Sequence, residues 1–426
     1  MLTVTPPEPV PGARLLFSLD PAVSHLNHGS FGAVPVPVQR AQQRLRDEME
    51  ANPVRFFAGG ALDDRVTAAR RHLATFVGLD PDGCAVIPNA TTGVSIVLGS
   101  LDLARGDEIL TTDHRYGAVA MAIERACRET GALVREVPIR LDATDDDVVA
   151  ALRAAMSGRT RLVALDLITS PTARLMPVAA VHAALRGTGV PMFVDAAHAP
   201  GVISNPAPAE FWVGNLHKWA YAPRGTALLH VAARWRGRVR TPVVSWREAE
   251  GFPGSLEFSG VTDPTAWLAA PVGTYVLRTL GLDRVRHHNA ALAAYAQATV
   301  GAALGHTPDS LPTPTGPPTG TAPTGTAPTS TGTRGRPASG TPGSPAEGTP
   351  GSGALPMRIV PLPAGIASTP DDAMLLRRRI ADELQTEVQV SSWRNRGFLR
   401  LSANIYNLAD EYDRLAERLP AFLKSL

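Results

Sequence analysis

The chain has 426 residues, with 41 Lys+Arg against 39 Asp+Glu, a net charge of +2 and 44% hydrophobic residues. This length and apolar content predict an enzyme-sized unit of two or three lobes with a substantial core. The near-neutral charge argues against a nucleic-acid partner, and no stretch approaches the roughly 18 apolar residues of a membrane helix. The two cysteines indicate no disulfide framework, and the start lacks a basic segment followed by an apolar run. A cytoplasmic protein without a membrane partner is therefore expected.

Lysine is almost absent from this chain. Lys218 and Lys424 are the two lysines, and the other 39 basic residues are arginines. Lys424 suits the C-terminal end of a final helix, whereas Lys218 lies in mid-chain. Because a primary amine can lose its proton near neutrality and form an imine, which arginine cannot do, Lys218 is a candidate catalytic residue.

Short apolar runs alternate with helical patterns between residues 60 and 235. The predicted strands are 85–88, 108–112, 133–137, 161–168, 192–195, 211–214 and 226–231, with amphipathic helices such as 116–130 and 146–157 between them. Apolar strands bounded by Gly or Pro are typical of strands buried on both faces. The pattern predicts an α/β fold with a mostly parallel sheet, whose ligands bind at the carboxyl ends of the strands.

Residues 306–353 interrupt this pattern. About four-fifths of them are Pro, Gly, Thr or Ser, so a disordered insertion is predicted. A helix at 282–304 precedes it; a strand at 357–362, a helix at 369–383, a strand pair and a helix at 410–423 follow. These elements predict an N-terminal segment (1–45) packed on the small domain, a large domain (46–275) and a small C-terminal domain (276–426).

Four segments that follow predicted strands carry chemistry. The stretch NATTG at 89–93 opens a helix whose free N–H groups suit a phosphate, although for this segment alone an ordinary Thr N-cap is the favoured explanation. Tyr116 follows the second strand, where a ring can stack on a flat ligand or belong to a turn. Asp195 and His198 follow the fifth strand, and Lys218 follows the sixth. Asp-x-x-His is also a weak metal pattern, but no third ligand accompanies it, so no metal is predicted.

Taken together in this order, these groups describe a site for pyridoxal phosphate. The carboxylate would keep the pyridine nitrogen protonated, and the lysine would hold the cofactor and move protons at the substrate α-carbon. The segments 195–201 and 214–223 resemble class V, fold-type I pyridoxal phosphate enzymes. The stretches LNHGSFG at 26–32, ITSPT at 168–172 and HKW at 217–219 resemble the isopenicillin N epimerase-like branch of that family.

The resemblance covers about 25–305 and 355–426 and implies a mixed seven-stranded sheet, a small C-terminal domain and a homodimer with sites at the interface. It makes Lys218 the lysine that holds the cofactor, Asp195 the pyridine partner and His198 a neighbour of the phenolic oxygen. The further implied cofactor contacts are Ala90, Thr91, Tyr116, Thr169, Ser170, His217 and, from the other subunit, Thr262. Arg400, in FLRLS at 398–402, would take the substrate carboxylate, and Asn27 and His28 would lie at the mouth of the site.

The reaction is open among epimerisation, C–S lysis and transamination of a small amino-acid-type substrate, ranked in that order. Epimerisation needs a second acid, for which Tyr116, His28 and water are the candidates. A class V cysteine desulfurase needs a mobile C-terminal cysteine, but Cys84 and Cys127 both precede Lys218. The glycine patterns of a nicotinamide dehydrogenase and of a serine hydrolase are both incomplete. A binding protein that has lost activity stays an alternative, against which Lys218 and Asp195 argue.

Overall fold

The computed structural model describes residues 4–58, 60–204, 208–315 and 355–426. The strands in these residues are β1 (Ser24–His25), β2 (Cys84–Ile87), β3 (Glu108–Thr112), β4 (Leu133–Val137), β5 (Thr160–Asp166), β6 (Met192–Asp195), β7 (Phe211–Asn215), β8 (Ala227–Val231), β9 (Met357–Pro361), β10 (Thr386–Glu387), β11 (Gln389–Trp393) and β12 (Arg396–Ser402). The α-helices are α1 (His28–Phe31), α2 (Val36–Ala51), α3 (Pro53–Ala58), α4 (Ala61–Val77), α5 (Ala90–Gly99), α6 (Gly117–Thr130), α7 (Asp145–Ala155), α8 (Val178–Ala184), α9 (Leu216–Trp219), α10 (Ala233–Arg236), α11 (Gly254–Glu257), α12 (Thr265–Leu280), α13 (Leu282–Ala303), α14 (Pro370–Leu384) and α15 (Ala409–Lys424). No helix of these residues is long and apolar enough to cross a bilayer.

The main sheet has seven strands in the order β2-β8-β7-β6-β5-β3-β4. Strand β8 runs antiparallel to β2 and β7, and the remaining neighbours are parallel. Every residue of β2, β3, β6 and β7 is buried, because helices cover both faces of the sheet. The predicted mixed, mostly parallel seven-stranded sheet is therefore confirmed, and all seven predicted strands are present within two residues at each end.

A smaller antiparallel sheet, β11-β12-β9, lies in the C-terminal part of the chain. Helices α13, α14 and α15 pack with it around a second apolar cluster that includes Leu292, Leu399 and Tyr412. The N-terminal segment joins this region, since β1 pairs in parallel with β10. The predicted boundary between residues 275 and 276 falls inside α12, which continues without a break to Leu280. The division into two domains stays a prediction.

Ten residues of the predicted disordered insertion lie in the described part of the chain. Residues 306–315 are described: Leu311 packs against Gly301 of α13, and Gln297 donates a hydrogen bond to the carbonyl of Pro312. The Leu175 N–H also donates to the carbonyl of Pro314. These residues therefore pack against the fold, which their composition does not predict, because composition alone does not show that a single leucine has an apolar partner. The rest of the predicted insertion, 316–353, lies outside the described residues.

Candidate active site

The carboxyl ends of three neighbouring strands place the central residues of the site. Asp166 ends β5, Asp195 ends β6, and Lys218 lies on the helical turn α9 that follows β7. Two glycines with left-handed backbones let other segments approach this turn. A Cβ on Gly32 would lie 2.1 Å from the carbonyl oxygen of His217, and one on Gly201 would lie 2.4 Å from that of Trp219. Both positions exclude side chains, so the two loops hold α9 by direct backbone packing.

The Lys218 amine has the character of a proton carrier. Burial and the nearby positive charge of Arg400 lower its pKa to about 7, although Asp195 and Asp166 oppose the shift. Its Nζ lies 3.1 Å from Nε2 of His198. Burial and the charge of Lys218 also hold the pKa of His198 well below its usual range. Near neutral pH, therefore, a large fraction of this lysine is an uncharged amine beside an uncharged imidazole.

Two buried carboxyl groups lie side by side at the ends of β5 and β6. Asp195 and Asp166 are paired in register on adjacent parallel strands, and each is 4% exposed. Burial raises the pKa of Asp195, and burial together with the Asp195 charge raises that of Asp166 well above its usual range. Asp195 Oδ1 accepts a hydrogen bond from the Ala197 N–H at 2.9 Å. Asp166 was missed by the sequence analysis, because it lies inside the predicted strand 161–168, whereas the observed strand β5 ends at Asp166.

Arg400 brings together residues that are far apart in the chain. Its Nη1 donates to the carbonyl oxygen and Oγ of Ser170 at 2.6 and 3.0 Å, and its Nη2 donates to Ser30 Oγ at 3.1 Å and Asn27 Oδ1 at 3.4 Å. All of these partners are neutral. The Nε atom is buried and has no hydrogen-bond partner among the described residues. Arg400 is 2% exposed, and burial lowers its pKa to about 10. A buried guanidinium that has no carboxylate partner among the described residues has the chemistry to bind an anionic ligand group.

The N-terminus of α5 offers fewer free donors than its sequence predicts. Asn89, and not a threonine, is the N-cap and accepts the Thr92 N–H at 2.8 Å. The Ala90 N–H donates to Asn215 Oδ1 at 2.9 Å. Thr91 is exposed at this end of the helix. A phosphate here would therefore meet Thr91, while Ala90 is already engaged by Asn215, which the sequence analysis missed.

The other predicted cofactor contacts differ in burial and in their hydrogen bonds. His217 Nδ1 donates to the carbonyl of Thr226 at 3.2 Å, and burial and Lys218 lower the His217 pKa to about 4. A phosphate contact through its other nitrogen requires the protonated ring, which a bound anion would favour. Tyr116 is the N-cap of α6 and is 46% exposed. Thr262 is exposed on the segment before α12.

Thr169 and Ser170 have different partners. Ser170 binds Arg400, as described above, whereas Thr169 joins a buried chain of hydroxyls. His114 Nε2 must donate to the Ile139 carbonyl at 2.8 Å, so its Nδ1 accepts from Thr172, 2.7 Å away. The Thr172 oxygen, 2.7 Å from that of Thr169, then accepts the Thr169 proton. Thr169 is consequently left with acceptor capacity only, and a contact between its hydroxyl and a cofactor oxygen would require this chain to rearrange.

Asn27 and His28 are buried in the structure and do not line an open mouth, and their predicted part in substrate binding stays a prediction. Asn27 is 3% exposed and His28 is fully buried. His28 Nε2 donates to the Lys218 carbonyl at 2.8 Å, and its Nδ1 lies 3.0 Å from the Tyr406 hydroxyl. Burial lowers the His28 pKa to about 3. His28 therefore fixes the backbone of the lysine turn, since burial of both nitrogens leaves it no path to a substrate.

Comparison with known protein families identifies one family model. The model for aminotransferase class V matches residues 33–307 of this chain. Among curated proteins, isopenicillin N epimerase of Amycolatopsis lactamdurans is 32% identical over 97% of this chain and 98% of its own length. An L-cysteine desulfhydrase of Arabidopsis thaliana is 29% identical over 58% of this chain and 59% of its own length.

Comparison with solved structures concerns the fold alone. A complex of the cystine C–S lyase C-DES with its product cysteine persulfide superimposes with a TM-score of 0.71 at 18% identity. The match covers 93% of this chain and 97% of that one. The predicted fold-type I arrangement, with its seven-stranded sheet and smaller C-terminal sheet, is confirmed by this likeness.

Proposed function

The chain belongs to the class V aminotransferase family, and on that premise we propose that it is a pyridoxal phosphate-dependent, isopenicillin N epimerase-like enzyme. Its substrate would be an amino acid or an amino-acid-containing small molecule. One observation carries the proposal: the pKa of the Lys218 amine is lowered to about 7 by burial and by the charge of a buried Arg400, whose hydrogen-bond partners in the protein are all neutral. A proton carrier beside an unpaired cation fits a substrate whose α-carbon carries a carboxylate.

The residues present fit the cofactor of this family. Asp195 is a buried carboxylate that accepts a backbone N–H, so a protonated pyridine nitrogen would satisfy its charge. Thr91 and the N-terminus of α5 would hold the phosphate, with His217 beside them. Lys218 would bind the aldehyde, and the exposed ring of Tyr116 would cover the cofactor face. When bound, pyridoxal phosphate supplies an electron sink that acidifies the substrate α-proton.

The chain's own residues would then act at two points of the substrate. Arg400 would bind the α-carboxylate, held in position by the Ser170, Ser30 and Asn27 oxygens. Lys218 would take the α-proton, because its lowered pKa leaves a free amine near neutral pH. Epimerisation also needs an acid on the opposite face. His28 is unsuited to that role because its nitrogens are buried against Lys218 and Tyr406, which leaves Tyr116 or water.

A C–S lyase is the second candidate function. It is supported by the similarity to an L-cysteine desulfhydrase. The same residues would serve it, because β-elimination also begins with loss of the α-proton.

A desulfurase reaction through a protein persulfide is not supported. Cys84 is buried and its pKa is raised by burial to about 12, and Cys127 is buried on α6. Neither thiol is available as a thiolate to accept sulfur. Because both cysteines are free thiols, we retain the cytoplasm as the proposed compartment.

Proton NMR in heavy water distinguishes the candidate reactions. The purified protein would be incubated with isopenicillin N, an aminoadipyl peptide, cysteine and cystine. Deuteration at the α-carbon with loss of chirality and no fragmentation would support the epimerase. Formation of pyruvate and ammonia would contradict the epimerase and support a C–S lyase. Formation of a keto acid with an aminated cofactor would support transamination instead. A colourless protein that gains no absorbance from added pyridoxal phosphate would contradict the whole proposal.

Cofactor uptake should depend on pH in a direction set by Lys218. Only the uncharged amine attacks an aldehyde, so the rate of uptake by cofactor-free protein should rise about tenfold per pH unit below pH 7 and level off above it. Removing the positive charge in Arg400→Gln should raise the Lys218 pKa and move the profile to higher pH. Stopped-flow absorbance measures both profiles, and a wild-type rate still rising at pH 9 would contradict the lowered pKa.

We also propose that the enzyme is a homodimer with its sites at the interface. One segment, 241–262, presents Val244, Trp246 and Val261 with exposed fractions of 80%, 97% and 76%, followed by Thr262. Apolar side chains concentrated in this way are typical of a covered surface. Trp246→Glu should weaken dimerisation by about tenfold or more in sedimentation velocity. Leu15→Glu, at an equally exposed leucine outside the segment, is the control; equal effects of the two variants would contradict this interface.

A further inference from the structure

The environment of His198 fixes which of its nitrogens carries the proton. Trp219 Nε1 donates a hydrogen bond to His198 Nδ1 at 3.3 Å, and both residues are buried. An indole N–H is a donor and never an acceptor, so Nδ1 must be unprotonated. A neutral imidazole then carries its hydrogen on Nε2, which lies 3.1 Å from Lys218 Nζ. Protonation of both nitrogens is disfavoured, since burial and Lys218 hold the pKa of His198 well below its usual range.

The direction of the second hydrogen bond follows from the first. Because Nε2 carries the hydrogen, it donates, and the lysine nitrogen must accept with its lone pair. Only the uncharged amine can do so. The charged groups that act on Lys218 are Arg400, which favours this uncharged form, and Asp195 and Asp166, which oppose it. His198 therefore favours the free amine through a directed hydrogen bond as well as through burial.

Trp219 is itself held in a fixed place. The His28 ring packs against it with centroids 4.8 Å apart, and a Cβ on Gly29 would lie 3.1 Å from its Cζ2. Its carbonyl contacts Gly201 on the loop that carries His198. The indole is thus clamped between the segment 26–32 and the loop after β6, which gives its N–H one direction. This accounts for a tryptophan directly after the lysine.

We propose that Trp219 is a positioning residue that sets the tautomer of His198, so that the one N–H of His198, on Nε2, is presented to Lys218 in the cofactor-free protein and would be presented to the phenolic oxygen once the cofactor is bound. The second half of this statement rests on the proposed function. The first half concerns this chain alone and holds whether the reaction is epimerisation or C–S lysis. Trp219 does not reach the reacting atoms; it acts through His198.

The tautomer is measured directly on the full-length protein. Selective ¹⁵N labelling of histidine gives ring signals for eleven histidines, and a His198→Gln sample assigns that of His198. We expect Nδ1 to be unprotonated and Nε2 protonated in the wild type, both as purified and after removal of cofactor with hydroxylamine. In Trp219→Phe, this preference for a proton on Nε2 of His198 should be lost. A matched control is available in Trp212→Phe, since Trp212 is buried on β7 and its indole nitrogen has no partner among the described residues.

A second measurement determines the pKa of Lys218. With only Lys218 and Lys424 in the chain, ¹³C-dimethylation gives two side-chain signals, and Lys424→Arg identifies that of Lys218. In cofactor-free protein, Trp219→Phe should raise the Lys218 pKa by about one pH unit, because a freed His198 can accept from the charged amine. Trp212→Phe should leave it unchanged.

A protonated Nδ1 in the wild type would overturn the proposal without any variant, even if Trp219→Phe does not fold. So would a folded Trp219→Phe protein whose His198 tautomer and Lys218 pKa match those of Trp212→Phe. Failure of the proposed function is a separate result: it appears as absent colour and absent α-proton exchange, while the tautomer in cofactor-free protein keeps its value.

Discussion

Replacing Lys218 with alanine is expected to abolish covalent retention of pyridoxal phosphate and to lower α-proton exchange by at least about a thousandfold. The reason is that one nitrogen serves both tasks, and the described residues place no second lysine near it. The other lysine, Lys424, lies in the last turn of α15. The measurements are the absorbance that remains with the protein after gel filtration and the rate of α-deuteration by NMR.

Lys424→Ala is the matched control for this variant, since it removes the same side chain outside the site, and it should keep full colour and activity. Lys218→Arg tests whether the positive charge alone is sufficient, because arginine keeps a cation but has no free amine at neutral pH. We expect it to behave like the alanine variant. Retention of substantial exchange in either Lys218 variant would assign the proton transfer to another group.

Replacing Arg400 with glutamine is expected to raise KM for an amino-acid substrate by about 100-fold. Loss of a buried cation that pairs with a carboxylate typically costs several kcal/mol of binding, and the protein partners of Arg400 are neutral oxygens that cannot replace it. The KM of Arg400→Lys should lie between those of the wild type and of Arg400→Gln, since an ammonium group supplies a charge without the paired donors of a guanidinium. Initial rates over a range of substrate concentrations separate KM from kcat.

Arg396→Gln is the matched control on the same strand. Arg396 is exposed at the start of β12, four residues before Arg400, and its substitution should leave KM unchanged. Thermal unfolding of each variant shows whether the fold is retained. A folded Arg400→Gln protein with an unaltered KM for amino acids but a lower kcat would contradict carboxylate binding and assign Arg400 to the chemistry instead.

The sequence was informative where function depends on residue type and local order. A lysine retained among 39 arginines indicated a primary amine with a chemical task, and the structure places it on the turn after β7 with a lowered pKa. Apolar strands with polar residues at their carboxyl ends predicted the sheet and the edge where Asp195 lies. These are local properties, since apolar composition indicates a buried strand, and Gly, Pro or polar residues indicate where the strand ends.

Expectations that depended on exposure or on free hydrogen-bonding groups were less reliable. Asn27 and His28 belong to the motif at 26–32, but the structure buries both, and His28 holds the Lys218 backbone. Ala90 lies at the predicted helix start, but Asn215 from β7 already occupies its N–H. A motif shows that a residue is required and does not show which atom it contacts.

By itself, then, the sequence predicted the fold class through its apolar periodicity, and its motifs indicated the family by resemblance. Residue type and position after a strand singled out Lys218 and Asp195, whose roles stay a prediction. Only the tertiary structure decided which groups meet. Arg400 meets Asn27 across 373 residues of chain, and Asp166 reaches Asp195 through sheet register. The proton on His198 is directed by an indole 21 residues away. Such hydrogen bonds depend on positions and angles in three dimensions, since their strength falls steeply with small displacements of donor and acceptor.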